Sequence, residues 1–187
     1  MSYTVREAWL NRAVERLDYV FTSQAGVSLP KVSVSVGFPH SRKAGVIGEC
    51  HPAVNVADGI PAVFVSPVLD DPVQVLACLT HELVHAVGNH GHRGKFVTCA
   101  RNVGLVEPWT ATTAGPDLTG RLTRMSRKLG PYPHGKVSVR GTVKTQTTRM
   151  VKVECAEDGY LVRATRTWLD QGMPLCGICG EMMEVAP

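Results

Sequence analysis

The chain has no run of apolar residues long enough to cross a bilayer and no internal repeat. Its mean hydropathy of zero, with 19% charged residues, leaves no compositional case for disorder. The opening residues Met1 to Glu7 carry charge where a secretory signal needs an uninterrupted apolar stretch. These absences predict a folded, cytoplasmic protein with no membrane partner. In a reducing compartment the six cysteines, Cys50, Cys78, Cys99, Cys155, Cys176 and Cys179, are expected as thiols or metal ligands rather than disulfides. Acidic residues are also scarce in one block. From Ala111 to Val153 only Asp117 opposes Arg121, Arg124, Arg127, Lys128, Lys136, Arg140, Lys144, Arg149 and Lys152. Such a block fits a nucleic-acid contact, and on charge alone it fits a solvated connector equally well.

At 187 residues one main domain with a small appendage is the expectation. Val5, Ala8, Trp9, Ala13, Leu17 and Val20 recur at helical steps, which predicts an amphipathic helix from Val5 to Phe21. Strict alternation from Lys31 to Val36 predicts a half-buried strand, and Ala62 to Ser66 reads as another. Asp70-Asp71-Pro72 is a helix start, with an aspartate to cap backbone amides and a proline pre-set for the first turn. The helix it opens runs into His81 to Val87 and ends at Gly88, and Phe96 to Val103 is a further short helix. After Trp109 the Thr, Gly and Pro content, including Gly130-Pro131-Tyr132-Pro133, predicts a boundary without regular structure. Strands are expected at Val151 to Val153 and Tyr160 to Thr165, with Trp168 in a small core. The predicted organisation is therefore a main domain over 1–110, a basic connector over 111–149 and a small β appendage over 150–187.

The segment His81-Glu82-Leu83-Val84-His85 carries the chemistry. Two histidines four apart on a helix share a face one turn apart and can present imidazole nitrogens to one metal ion. Glu82, beside the first of them, is placed to act as general base on a water in the metal's open position. A chance triple is the alternative, but three polar side chains in so apolar a stretch (Leu79, Leu83, Val84, Ala86, Val87) would be costly without a metal to satisfy them. A catalytic zinc takes three protein ligands, and His90 and His92 are both candidates for the third. The metzincin pattern fits at Gly88 but fails at Gly91, where its third histidine should stand.

His81-Glu82-x-x-His85 followed by Gly91-His92-x-Gly94-x-Phe96 resembles the SprT-like metallopeptidases, the family that contains Spartan, and in particular their compact phage and bacterial members. In that family the third ligand precedes a phenylalanine by four positions, which implies His92 as ligand and His90 as a neighbour or surface residue. Ile47-Gly48-Glu49-Cys50 and Phe64-Val65-Ser66-Pro67 are similar to the stretch before the family's catalytic helix. The resemblance implies an α+β, zincin-like fold in which helices pack on a short antiparallel sheet, with an extended substrate added to the sheet edge.

Cys176-x-x-Cys179-Gly180 has the spacing of a zinc knuckle, and Cys155 is the expected partner. The family's appended zinc ribbon would have a further cysteine where this chain has Asp158. Three readings stand open: Asp158 supplies a carboxylate ligand, water fills the gap, or the segment has lost its metal. Cys78 and Cys99 are expected to pack, and Cys50 lacks the paired histidine that a nucleophile needs, His51 being only its sequence neighbour.

The expected function is zinc-dependent hydrolysis of peptide bonds, with Glu82 as general base, His81, His85 and His92 holding a catalytic Zn2+, and a second, structural ion at Cys155, Cys176 and Cys179. The family resemblance extends this to protein substrates held on DNA, reached through the basic 121–152 segment. The rival expectation is a nucleic-acid-binding adaptor whose zinc is structural. Glu82 beside an open metal position argues for the enzyme.

Overall fold

A computed structural model describes residues 3–40, 45–89, 91–138 and 150–186. The chain divides into two compact units, Met1–Val139 and Arg140–Pro187, of mixed α+β architecture. Among the described residues no helix is long and apolar enough to cross a membrane.

Helix α1 (Arg6–Ala25) runs one turn past its predicted end and stops at Gly26, whose left-handed φ of 67° lets its amide bond back to the Phe21 carbonyl. Trp9, Leu10, Ala13, Leu17 and Phe21 on this helix are fully buried. Strands β1 (Ser33–Val36), β2 (Gly48–His51) and β3 (Ala62–Val65) form a sheet in the order β1-β3-β2. The expected antiparallel sheet is corrected here. β2 pairs antiparallel with β3, but β1 pairs parallel with it, Val34 opposite Val63. β3 inserts between the two earlier strands, and because these run in opposite directions it is parallel to one and antiparallel to the other. Among the described residues β2 pairs with β3 alone and forms one edge of this sheet.

Helix α2 (Pro72–Ala86) packs on β2 and β3 and is followed by α3 (Lys95–Val103) and a short ladder of β4 (Leu105–Val106) with β5 (Thr113–Ala114). The expected boundary after Trp109 gives way to helix α4 (Pro116–Leu129), whose Leu118, Leu122 and Leu129 are buried in the main core. Fully burying a leucine is worth roughly 1.5–3 kcal/mol, so this helix belongs to the domain rather than to a linker. Gly120 and the five threonines from Thr110 to Thr123 hid the leucine stripe from a reading by composition. The Gly130 to Gly135 stretch is also pinned: Trp9 Nε1 donates to the Gly130 carbonyl at 3.1 Å, and Arg6 donates to the carbonyls of Pro133 at 3.0 Å and Gly135 at 2.7 Å.

The second unit holds β6 (Val151–Glu154), β7 (Leu161–Ala164), the one-turn helix α5 (Arg166–Leu169) and β8 (Glu184–Val185), in an antiparallel sheet ordered β7-β6-β8. Trp168 does not enter its core. It is 67% exposed, and Leu169, one helical step of about 100° further on, is buried in its place. Arg140, Lys144 and Arg149 of the basic block lie outside the described residues.

Candidate metal centre

Asp71 caps α2 as its sequence predicts, Oδ1 accepting from the Gln74 amide at 2.8 Å, and Pro72 occupies the first turn. The helix so fixed carries His81, Glu82 and His85. Beyond it the chain reverses through Gly91, whose φ of 72° is one that L side chains rarely adopt. The turn brings His92 back over the helix, and it explains why a ligand at position 91, as a metzincin would need, does not suit this backbone.

The three imidazoles converge. His92 Nε2 lies 3.2 Å from His81 Nε2 and 3.2 Å from His85 Nε2. Three nitrogens bound tetrahedrally to an ion at about 2.05 Å would stand ~3.4 Å apart, so the observed spacing already fits such an ion. The other ring nitrogens are held from behind, His81 Nδ1 by Thr112 Oγ1 at 2.7 Å and His85 Nδ1 by the Asn89 carbonyl at 2.8 Å. A carbonyl accepts only, so His85 carries its proton on Nδ1 and turns the Nε2 lone pair toward His92. Burial, with His85 and His92 close by, pushes His81 down to about 3, and burial lowers His92 as well. Both are therefore neutral at physiological pH, which a metal ligand must be. The ring of Phe96, fully buried, sits 4.5 Å from that of His85, 4.8 Å from His92 and 5.1 Å from His81 and forms the floor on which all three rest. His90 lies outside the described residues.

Glu82 is 6% exposed and faces β2, where a β-carbon on Gly48 would meet its Oε1. Burial first, and the nearby Glu49 second, push its carboxyl from an ordinary 4.5 up to about 8. Cys50, half-buried on β2, is pushed up to about 12 by burial and by Glu82, which leaves no thiolate for nucleophilic attack at neutral pH. Cys78 and Cys99 are buried packing residues, and Cys78 Sγ also donates to the Ile47 carbonyl at 3.2 Å. All six cysteines are free of disulfides.

No family model matches the chain, and neither the curated proteins nor the solved structures offer a match. What the site can do is read from its own atoms. His81, His85 and His92 form one cluster able to hold a metal ion, and Cys155, Asp158, Cys176 and Cys179 form a second; in each the ligand atoms lie within 4.8 Å of one another. Sequence reasoning missed Thr112, which no pattern in Thr110-Ala111-Thr112-Thr113 distinguishes from its neighbours. It also missed a cleft of about 370 Å³ between α1 and α4, lined by Arg16, Tyr19, Arg121, Arg124 and Lys128 with no acidic side chain among its walls.

Proposed function

We propose that this protein is a zinc-dependent metallopeptidase of the SprT-like kind. The observation that carries the reading is the meeting of three imidazoles, His92 Nε2 standing 3.2 Å from the Nε2 of both His81 and His85, with a buried carboxyl on the residue after His81. His81, His85 and His92 would hold the ion through Nε2. Zinc in that position supplies Lewis-acid polarisation of a carbonyl and lowers the pKa of water.

The chain's own residues do the rest. Glu82 takes a proton from the attacking water and passes it to the leaving amine, so that hydroxyl ends on the acyl carbon and hydrogen on nitrogen. Burial raises this carboxyl in the metal-free chain, and a cation held by the neighbouring histidines would draw it back toward the carboxylate that accepts a proton. Among the described residues β2 has a free strand edge beside Glu82, and an extended peptide laid along it would be held by main-chain hydrogen bonds with its scissile bond near the three histidines. The cationic cleft of α1 and α4 supports a nucleic-acid partner that brings protein substrates to the site.

The test is Glu82→Gln assayed on casein, with and without single-stranded DNA and with a chelator control. Cleavage by wild type that is lost in the variant and in chelator is the expected result. Equal cleavage by both proteins rejects the hydrolytic role.

A further inference from the structure

We infer that Asp158 is the fourth ligand of a metal site made of three thiolates and one carboxylate, and that this ion holds the unit of residues 150–186 together. The inference is independent of the hydrolytic reading, because it concerns different residues and a different readout.

Two turns in this unit repeat each other bond for bond. In Cys155-Ala156-Glu157-Asp158-Gly159-Tyr160 the Cys155 amide bonds to the Tyr160 carbonyl at 2.9 Å and the Gly159 amide to the Cys155 carbonyl at 3.0 Å. In Cys176-Gly177-Ile178-Cys179-Gly180-Glu181 the Cys176 amide bonds to the Glu181 carbonyl at 2.7 Å and the Gly180 amide to the Cys176 carbonyl at 2.9 Å. Gly159 and Gly180 take the same left-handed conformation, at φ of 73° and 80°. Asp158 therefore stands in the first turn where Cys179 stands in the second, and each turn offers two ligands at positions one and four.

The side chains agree with the backbone. Asp158 Oδ2 is 3.2 Å from Cys176 Sγ, and Cys155 Sγ is 3.5 Å from Cys179 Sγ. A tetrahedral ion bound by sulfur at about 2.3 Å and oxygen at about 2.1 Å would separate its ligands by ~3.6–3.8 Å. The Tyr160 amide donates to Asp158 Oδ1 at 2.9 Å, which fixes the carboxylate and leaves Oδ2 toward the sulfurs. The Ile178 amide donates to Cys176 Sγ at 3.4 Å, which holds that sulfur in place within its turn.

What the unit lacks completes the argument. Its buried cluster consists of Val153, Cys155, Leu169, Cys176 and Met183, and two of these five are ligands. Three buried apolar side chains, with Val151, Val162, Ala164 and Met173 only half-buried against them, make a small core to set against the chain entropy, and units of this size are usually held by disulfides or by a metal. There is no disulfide. The ion is accordingly a folding element, of the zinc type that thiolates select, with one oxygen ligand making the site less partial to soft ions such as cadmium than an all-thiolate site would be.

The full chain with His81, His85 and His92 all replaced by alanine isolates this site. Native mass spectrometry should find one zinc per chain in that background, and its cobalt form should show thiolate charge-transfer absorption of three-sulfur intensity. Asp158→Cys should raise that absorption by about one third with the ion count unchanged. Asp158→Asn should weaken zinc binding about tenfold or more in chelator competition. Removal of the ion should release hydrogen-exchange protection in peptides from 150–186 and not in those from α1. An unchanged zinc affinity in Asp158→Asn, or an Asp158→Cys spectrum that still reports three sulfurs, overturns the assignment of Asp158. A background variant that binds no zinc, or protection that survives removal of the ion, overturns the site's structural role.

Discussion

A β-carbon placed on Gly48 would come within 2.5 Å of Glu82 Oε1 and 2.7 Å of Cys78 Sγ. The sheet edge and the carboxyl of the helix thus approach each other as closely as the absence of a side chain allows. Gly48→Ala should force the Glu82 carboxylate, the more flexible of the two neighbours, away from its place. Caseinolysis should fall steeply while zinc content stays at the wild-type value, and stability should drop by about 1–3 kcal/mol as for other overpacked sites. Full activity in the alanine variant, measured beside metal content, would contradict this.

Glu82 also sets a pH dependence of stability in the metal-free protein. Its carboxyl is raised to about 8 in the fold against 4.5 when exposed, so between those values the folded chain binds a proton that the unfolded chain has lost. Stability is therefore greatest below the lower value and declines as pH rises toward the upper one, with a slope of at most about 1.4 kcal/mol per pH unit. Glu82→Gln should remove this decline and be more stable than wild type at pH 8 in chelator. Urea melts of both proteins at pH 5 and pH 8 measure the difference directly.

Thr112 reaches His81 from 31 residues away and holds its Nδ1 at 2.7 Å. Thr112→Val keeps the shape and deletes the hydroxyl. Zinc affinity at the histidine site should fall by roughly 10- to 100-fold, the usual effect of losing an outer partner of a ligating histidine. Competition with a calibrated chelator gives the value, and an unchanged affinity would show that the ring is oriented by Phe96 alone.

His92→Ala should lower the zinc count of the purified chain from two to one, since among the described residues it removes one of the three imidazoles that cluster at the first site and leaves the second cluster intact. Native mass spectrometry reads the count without any assay of activity. A variant that still carries two ions would shift the third ligand elsewhere.

In the cleft between α1 and α4, none of Arg16, Arg121, Arg124 and Lys128 belongs to an ion pair among the described residues, and Tyr19 at its side is 72% exposed. Arg121→Glu with Arg124→Glu should weaken binding of a labelled oligothymidylate and flatten its salt dependence by about 0.7 per lost phosphate contact. Tyr19→Ala should weaken binding through lost stacking and leave the salt slope unchanged. Fluorescence anisotropy across a salt series separates the two effects.

How much of this was legible in the sequence depended on whether the signal was periodic and local. The α1 stripe, the Asp71 cap and the pairing of His81 with His85 are short-range patterns, and each appears in the fold where it was expected. β2 was not read as a strand because an edge strand with every residue half-buried shows no alternation. α4 was hidden because threonine and glycine content spoke louder than three leucines. Trp168 is expected in the small core, whereas the one-turn helix gives the inward position to Leu169. Thr112 could not have been found at all, since its role comes from a contact across 31 positions of sequence. The aspartate at 158 was visible as a departure, but only the matched turns show which position it holds.

All three imidazoles arise between positions 81 and 92, on a helix end and the reversal after it, while the hydroxyl that steadies the first of them comes from beyond α3. The chelating part of the centre is thus a portable cassette, which a designer could graft onto another helix with little loss of nearest-neighbour donors. What would not travel is the orientation supplied by Thr112, Phe96 and the β2 edge. Grafts of the cassette alone should capture metal readily and hydrolyse poorly, and the shortfall between those two properties would measure what the surrounding scaffold adds.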